Sequence, residues 1–204
     1  MIDVFDENDL GQLYMTYFTA KRAIDILVAL TLLILLSPLM LGLYIAVSVT
    51  SSGPAIFWSD RVGVNKKLFS MPKYRTMEIG AKLVSPESAD PDDIKPTAFG
   101  KILRKTSLDE LPQLWSVLIG DMSLIGPRPM LEFDNVRDER YKRPEIFNLK
   151  PGITGLAQVS GRNFISPKNK SRYDAFYVKH ISLALDIKIA LMTIETVLKT
   201  NLVK

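Results

Sequence analysis

From Ile26 to Val49 the chain carries no charged residue. As a helix that stretch measures roughly 36 Å at about 1.5 Å per residue, enough to cross a hydrocarbon core of about 30 Å. It is too long for the apolar core of a secretory leader, and no small-residue cleavage site precedes a mature region, so the segment is expected to be retained. A straight transmembrane anchor is one way to place it. Ser37-Pro38 near its middle argues for another. Proline there removes a helical hydrogen bond and crowds the preceding turn, while the serine hydroxyl is placed to satisfy a freed carbonyl. Both flanks are basic, with Lys21 and Arg22 before the segment and Arg61, Lys66 and Lys67 after it. Basic flanks favour the cytoplasmic side at both ends. The expectation is therefore a re-entrant helix-break-helix hairpin over residues 21–50. Asp25, one turn inside, is expected to pair with a nearby base or to act as a capping or interfacial carboxylate.

Charge is unevenly placed along the 204 residues. Asp3, Asp6, Glu7 and Asp9 make residues 1–20 an acidic N-terminal extension, for which the sequence offers no role. Without those four, 26 basic residues face 18 acidic ones. Such a basic body suits a polyanionic partner: nucleic acid, anionic headgroups or a diphosphate. The absence of cysteine excludes disulfides, a thiolate nucleophile and zinc-cysteine sites, and a single histidine, His180, excludes a multi-histidine metal site. Chemistry is left to carboxylates, Lys, Arg, hydroxyls or a hard metal ion.

Residues 51–204 read as a separate domain of α+β class, mainly helical. Ala55–Arg61 and Leu68–Thr76 are rich in aromatic and β-branched residues and flank Gly63-Val64-Asn65-Lys66, which predicts a β-hairpin. Residues 84–97 hold three prolines and four acids and read as a loop, with cation binding a minor alternative. Ala98–Ile119, interrupted by Pro112, and Ile181–Lys199 show helical apolar spacing, suited to a core face or to the membrane interface.

Four stretches are candidates for chemistry. In Ser107-Leu108-Asp109-Glu110-Leu111-Pro112, adjacent carboxylates lie among leucines, so they call for a cation or a basic neighbour such as Arg104. Magnesium or a carboxylate nucleophile toward phosphorus would suit them, and a helix N-terminal cap would account for them without chemistry. A P-loop reading fails for want of the glycine-lysine loop. In Gly126-Pro127-Arg128-Pro129 two prolines fix the backbone around an arginine, as a phosphate clamp requires. The run Lys150 to Asn163 contains glycines able to let a ligand approach and includes Arg162. Lys73-Tyr74-Arg75-Thr76 is a basic strand end.

Taken in order, seven signatures resemble the bacterial sugar transferases, in the minimal form of the monotopic polyprenyl-phosphate phosphoglycosyl transferases. They are Lys21-Arg22-x-x-Asp25, Ser37-Pro38, Lys73-Tyr74-Arg75-Thr76-Met77, Arg104 with Leu108-Asp109-Glu110-Leu111-Pro112-Gln113, Gly120-Asp121-Met122-Ser123, Gly126-Pro127-Arg128-Pro129 and Pro151-Gly152-Ile153-Thr154-Gly155. The resemblance covers roughly Lys21 to Lys199. It implies that Asp109 attacks the β-phosphorus of a UDP-sugar, expels UMP and holds the sugar phosphate as an acyl-phosphate. Polyprenyl phosphate, here undecaprenyl phosphate, would then take the sugar phosphate in the first membrane step of glycoconjugate synthesis. Glu110 would bind Mg²⁺ with Asp109 or deprotonate the lipid phosphate. Lys73, Arg75, Arg104, Arg128 and Arg162 would contact phosphate or nucleotide. The family's broken re-entrant helix corresponds to Ser37-Pro38. The resemblance further implies a bacterial inner membrane location with the catalytic domain on the cytoplasmic face, interfacial amphipathic helices, no nucleic acid partner, and a homodimer or downstream glycosyltransferases as further partners. The rival expectations are a non-enzymatic membrane-anchored module, and an enzyme in which the lipid attacks the donor directly.

Overall fold

The computed structural model describes residues 7–81, 95–161 and 165–202. Helix α1 spans Glu7–Thr50 and includes Pro38. Among the described residues it is the one helix long and apolar enough to cross a membrane. Its most apolar window has a mean hydropathy of 2.6 and is 11% buried, so it is not the core helix of a soluble domain. The expected hairpin does not divide into two helices: the helical element continues through Ser37-Pro38. The local chemistry explains how. Proline cannot donate to the carbonyl of Ile34, and the Ser37 hydroxyl donates to that carbonyl instead, at 2.8 Å. Helix α1 also begins upstream of residue 21, taking in residues 7–20 of the stretch set apart above as an extension.

The two arms of α1 on either side of the proline both attach to the domain. Ala29 packs into a cluster with Met71, Leu114, Val117 and Met122. Leu43 and Val47 pack with Ala55, Tyr74 and Leu103, and the Tyr74 hydroxyl donates to the Met40 carbonyl at 2.7 Å. Between these contacts Ile34, Leu35 and Leu39 are exposed.

Strands β1 (Ile56–Val62) and β2 (Leu68–Tyr74) pair antiparallel from Ile56↔Tyr74 to Val62↔Leu68, the predicted hairpin. Asn65 and Lys66 turn the chain in the left-handed region. Alternation places Phe57, Ser59 and Arg61 with Lys73, Met71 and Phe69 on one face of the ribbon.

The predicted Ala98–Ile119 helix is divided. Helix α2 (Ala98–Thr106) starts at Thr97, whose side chain caps the Gly100 amide, and ends at Ser107 with φ 58°. A single 3₁₀ turn, Leu108–Glu110, then leads to α3 (Gln113–Ile119). Gly100 is required because any side chain there would run into the Thr76 carbonyl. Leu103 and Leu114 turn inward while Ile102 and Trp115 stay exposed. The 84–97 loop lies largely outside the described residues.

Strand β3 (Ser123–Ile125) pairs parallel with β4 (Gly152–Thr154). Around them come α4 (Arg137–Tyr141), α5 (Leu156–Val159), α6 (Pro167–Lys179) and α7 (Leu183–Leu202). Tyr177 of α6, Ile189 of α7 and Ile125 of β3 close a further core cluster. The result is a mixed helix and strand fold with two small sheets.

Candidate active site

The Lys21-Arg22-x-x-Asp25 signature fastens α1 to three separate elements. Lys21 Nζ pairs with Asp186 of α7 at 2.8 Å, and Tyr17 and Tyr177 donate to the same carboxylate at 3.0 and 2.7 Å. Arg22 donates to the Val117 and Leu118 carbonyls at 2.6 and 2.8 Å, closing the C-terminal turn of α3. Asp25 is buried and accepts the Leu124 amide of β3 at 3.1 Å. Its partner is thus a backbone N–H, where a base near the headgroups was expected. A buried carboxylate needs donors, and an edge amide of β3 supplies one.

The acidic pair lies on the 3₁₀ turn between α2 and α3. Ser107 makes no side-chain cap, and α3 begins three residues beyond Glu110, so neither carboxylate is a helix cap. Glu110 Oε1 accepts Lys73 Nζ at 2.7 Å and Arg128 Nη2 at 3.1 Å. Burial alone would raise the Glu110 carboxyl, but the adjacent Arg128 and Lys73 charges win and hold it well below the usual carboxylate range. Asp109, 9% exposed, receives no side-chain hydrogen bond among the described residues. Burial pushes its carboxyl up to about 6, with Glu110 adding repulsion and Lys73 and Arg104 partly opposing it. Burial likewise lowers Lys73, whereas Glu110 raises Arg128. The turn therefore holds two unlike carboxylates: one locked as an anion between two cations, the other poised close to neutral pH.

The Arg128 loop is held by backbone crossings. The Gly126 amide donates to Thr154 and the Gly152 amide to Pro127, both at 2.9 Å. A side chain at Gly126, Gly152 or Gly155 would strike opposing backbone. The glycines of the Lys150–Asn163 run were expected to admit a ligand, but Gly152 and Gly155 admit the Gly126 strand instead. Arg140 braces the same loop from α4. Its Nε and Nη2 donate to Asp174 Oδ2 at 2.9 and 2.7 Å, and its Nη1 donates to the Arg128 carbonyl at 2.6 Å.

These side chains border a cavity of about 1150 Å³. Its charged wall carries Arg61, Lys73, Arg104, Asp109, Glu110 and Arg128, and its apolar wall is formed by α1 at Val28, Leu32 and Leu36 and by α7 at Ile187 and Ile194. Arg75 also borders it, with Nη1 turned to the Ser52 carbonyl at 3.2 Å. Arg104 Nη1 meets Met77 Sδ at 3.2 Å. Arg162 lies outside the described residues. Ser37 and Pro38 stand apart, within α1. Arg61 entered above only as part of a basic flank and a predicted strand, and Arg140 and Asp174 did not enter at all. Arg61 carried a usable signal, since it follows Phe57 and Ser59 at a period of two on the strand face that points inward. The Arg140–Asp174 pair, 34 residues apart, carried none.

No group of three or more metal-ligating side chains is gathered among the described residues. A cation at the dyad would thus depend on Asp109, Glu110 and ligand oxygens. The fit is reasonable for a hard ion. Lys73 and Arg128 both take Oε1 of Glu110, leaving Oε2 to bind, and a cation would offset the burial and the Glu110 repulsion that raise Asp109.

Residues 16–200 match the family model described as bacterial sugar transferase. The chain is 42% identical over 198 residues to the undecaprenyl-phosphate galactose phosphotransferase of Salmonella typhimurium, covering 89% of this chain and 41% of that protein. It is 39% identical over 181 residues to the UDP-glucose:undecaprenyl-phosphate glucose-1-phosphate transferase of Klebsiella pneumoniae, covering 85% of this chain and 39% of that one. To the uncharacterized sugar transferase EpsL of Bacillus subtilis it is 40% identical over 178 residues, covering 87% of both. The chain thus spans about two fifths of the longer relatives and most of the shorter one.

Proposed function

The chain belongs to the bacterial sugar transferase family, and from that premise we propose that it transfers a sugar 1-phosphate from a UDP-sugar to undecaprenyl phosphate, releasing UMP. The observation that carries this reading is the unlike pair at the turn. Glu110 is anchored between Lys73 and Arg128, and beside it Asp109 faces the cavity without a side-chain partner among the described residues. The cavity joins a phosphate-binding wall to an apolar one, as a reaction between a soluble diphosphate and a lipid phosphate requires.

In the proposed reaction the Asp109 carboxylate attacks the β-phosphorus. The bond from phosphorus to the UMP oxygen breaks, its electron pair leaves with UMP, and the sugar phosphate stays on Asp109 as an acyl-phosphate. A carboxyl near 6 is roughly nine-tenths ionised at pH 7, so this nucleophile needs no base. The lipid phosphate oxygen then attacks the same phosphorus and the carboxylate departs. Glu110 is too weak a base, held far down by Arg128 and Lys73, to deprotonate the acceptor efficiently. Its role is to orient the two cations and, with Asp109, to hold Mg²⁺. When bound, that ion would supply charge neutralisation to the diphosphate.

The membrane part of the reading is a re-entrant α1, with the domain on the cytoplasmic face of the inner membrane. It is supported by the attachment of both arms of α1 to one domain, by the exposed apolar residues between them and by the basic flanks. Tags at the two ends of the chain should both be accessible from the cytoplasm, and opposite accessibility would refute the hairpin.

The chemical test is to mix the protein with a panel of UDP-sugars and no acceptor. A burst of UMP equal to the enzyme, with a sugar-phosphate mass on the peptide containing Asp109, is the expected result. Turnover with acceptor but no burst and no adduct would favour direct attack of the lipid on the donor.

A further inference from the structure

Arg61 is a cation of the charged wall to which the proposed reaction gives no task. It stands on the inward face of β1, four residues from Phe57, the cross-strand partner of Lys73. That separation is roughly 13 Å along the ribbon at about 3.3 Å per residue. Lys73 and Arg61 therefore mark two ends of one face. Arg128 bonds to the same Glu110 oxygen as Lys73, and at the other end of the ribbon the Val62 amide donates to the Met130 carbonyl at 3.0 Å. The loop that carries Arg128 thus spans from the Lys73 end to the Arg61 end.

Arg61 and Arg128 both border the cavity. Arg61 Nε is held by Ser59 Oγ at 3.1 Å, which fixes the guanidinium plane on the strand. The Arg128 side chain keeps 50% of its surface open, although its backbone is fixed by Arg140 and the glycine crossings. Burial, then the Arg128 charge, lowers Arg61 to about 10, against the Asp134 and Glu110 charges that raise it. An anion between the two guanidinium groups would make charge-assisted contacts with both.

We propose that Arg61 and Arg128 form a subsite for a phosphate monoester, and that its occupant is the phosphate of the departing nucleotide. This rests on the reaction proposed above and extends it. While the β-phosphorus lies against Asp109 and Lys73, the next phosphate along the donor reaches the Arg128–Arg61 end. As the bond from phosphorus to oxygen breaks, the new charge on UMP develops beside two guanidinium groups and needs no proton, since a phosphate monoester carries close to two charges at neutral pH. The acceptor lipid offers the same phosphate chemistry, so the two sources are separated by experiment.

The test uses the full chain in detergent, wild type against Arg61→Gln and Arg61→Lys, with UMP affinity measured by calorimetry and KM measured for undecaprenyl phosphate. Arg61→Gln should weaken UMP binding at least tenfold and Arg61→Lys less, with the lipid KM within twofold of wild type. Unchanged UMP affinity with a raised lipid KM would overturn the assignment to the leaving group. No change in either, in variants with wild-type unfolding temperatures, would overturn the subsite itself. Arg61→Lys keeps the question answerable if Arg61→Gln does not fold. UMP binding is an equilibrium reading that needs no turnover. If wild-type protein binds UMP through Arg61 yet consumes no UDP-sugar, the proposed reaction fails while the subsite stands.

Discussion

Replacing Asp109 by Asn should stabilise the protein while abolishing UMP release. Burial and the neighbouring Glu110 raise the Asp109 carboxyl from 3.8 to about 6 in the folded chain. A shift of about two units, at 1.36 kcal/mol each, corresponds to about 3 kcal/mol of folding free energy lost by holding Asp109 ionised. The sign follows from the proton count. Below about pH 4 the carboxyl is neutral in both states and nothing is lost. Between about 4 and 6 the unfolded chain releases its proton and the folded chain keeps it, so stability falls as pH rises. Above about 6 the loss is complete. An uncharged Asn of nearly the same shape escapes this penalty. At roughly 2–4 °C per kcal/mol for a chain of this size, the unfolding temperature should rise by roughly 6–12 °C at pH 7.5. The gain should shrink to about zero near pH 4. The assay is thermal unfolding in detergent across that pH range, with a chelator present so that no cation masks the effect, alongside UMP release. An Asp109→Asn protein no more stable than wild type at pH 7.5, or one whose gain is the same at pH 4.5, would refute the electrostatic account of the dyad.

UMP release by the wild type should fall about tenfold per pH unit below about 6 as Asp109 takes up its proton, measured as the initial burst at fixed UDP-sugar. Arg140→Lys keeps the charge but loses the fork that spans Asp174 and the Arg128 carbonyl, so the KM for UDP-sugar should rise severalfold. Asp174→Asn strands a buried guanidinium and should cost about 3–5 kcal/mol, read by denaturant unfolding. Gly152→Ala places a methyl group against the Gly126 backbone and should cost more than about 2 kcal/mol or prevent folding, judged by expression and unfolding temperature.

The hairpin was readable because its signal is local. Aromatic and β-branched enrichment on both sides of a four-residue turn defines β1 and β2 to within two residues, whatever surrounds them. Helix α7 was readable for the same reason. The division of the Ala98–Ile119 stretch was not, although Pro112 announced an interruption. The left-handed Ser107 and the 3₁₀ turn form where α2 meets the hairpin, a packing event outside that window. The partners of the basic flank of α1 were unreadable for a related reason. Lys21 and Arg22 find them on α7 and at the end of α3, 165 and 95 residues away.

By itself the sequence determined one uncharged apolar segment long enough to cross a membrane, a basic body, and an Asp-Glu pair in a chain with no cysteine and a single histidine. These follow from transfer free energies and side-chain chemistry, which residues carry with them wherever they lie. Tertiary structure alone decided what the acidic pair is. It brought Lys73 and Arg128, 37 and 18 residues from Glu110, onto one carboxylate oxygen and left Asp109 beside it in the cavity. It also brought Arg61 and Arg128 to one cavity, with the Val62 amide bonded to the Met130 carbonyl. The strength and sign of a buried charge's environment depend on distance and exclusion of water, and neither exists until the chain has folded.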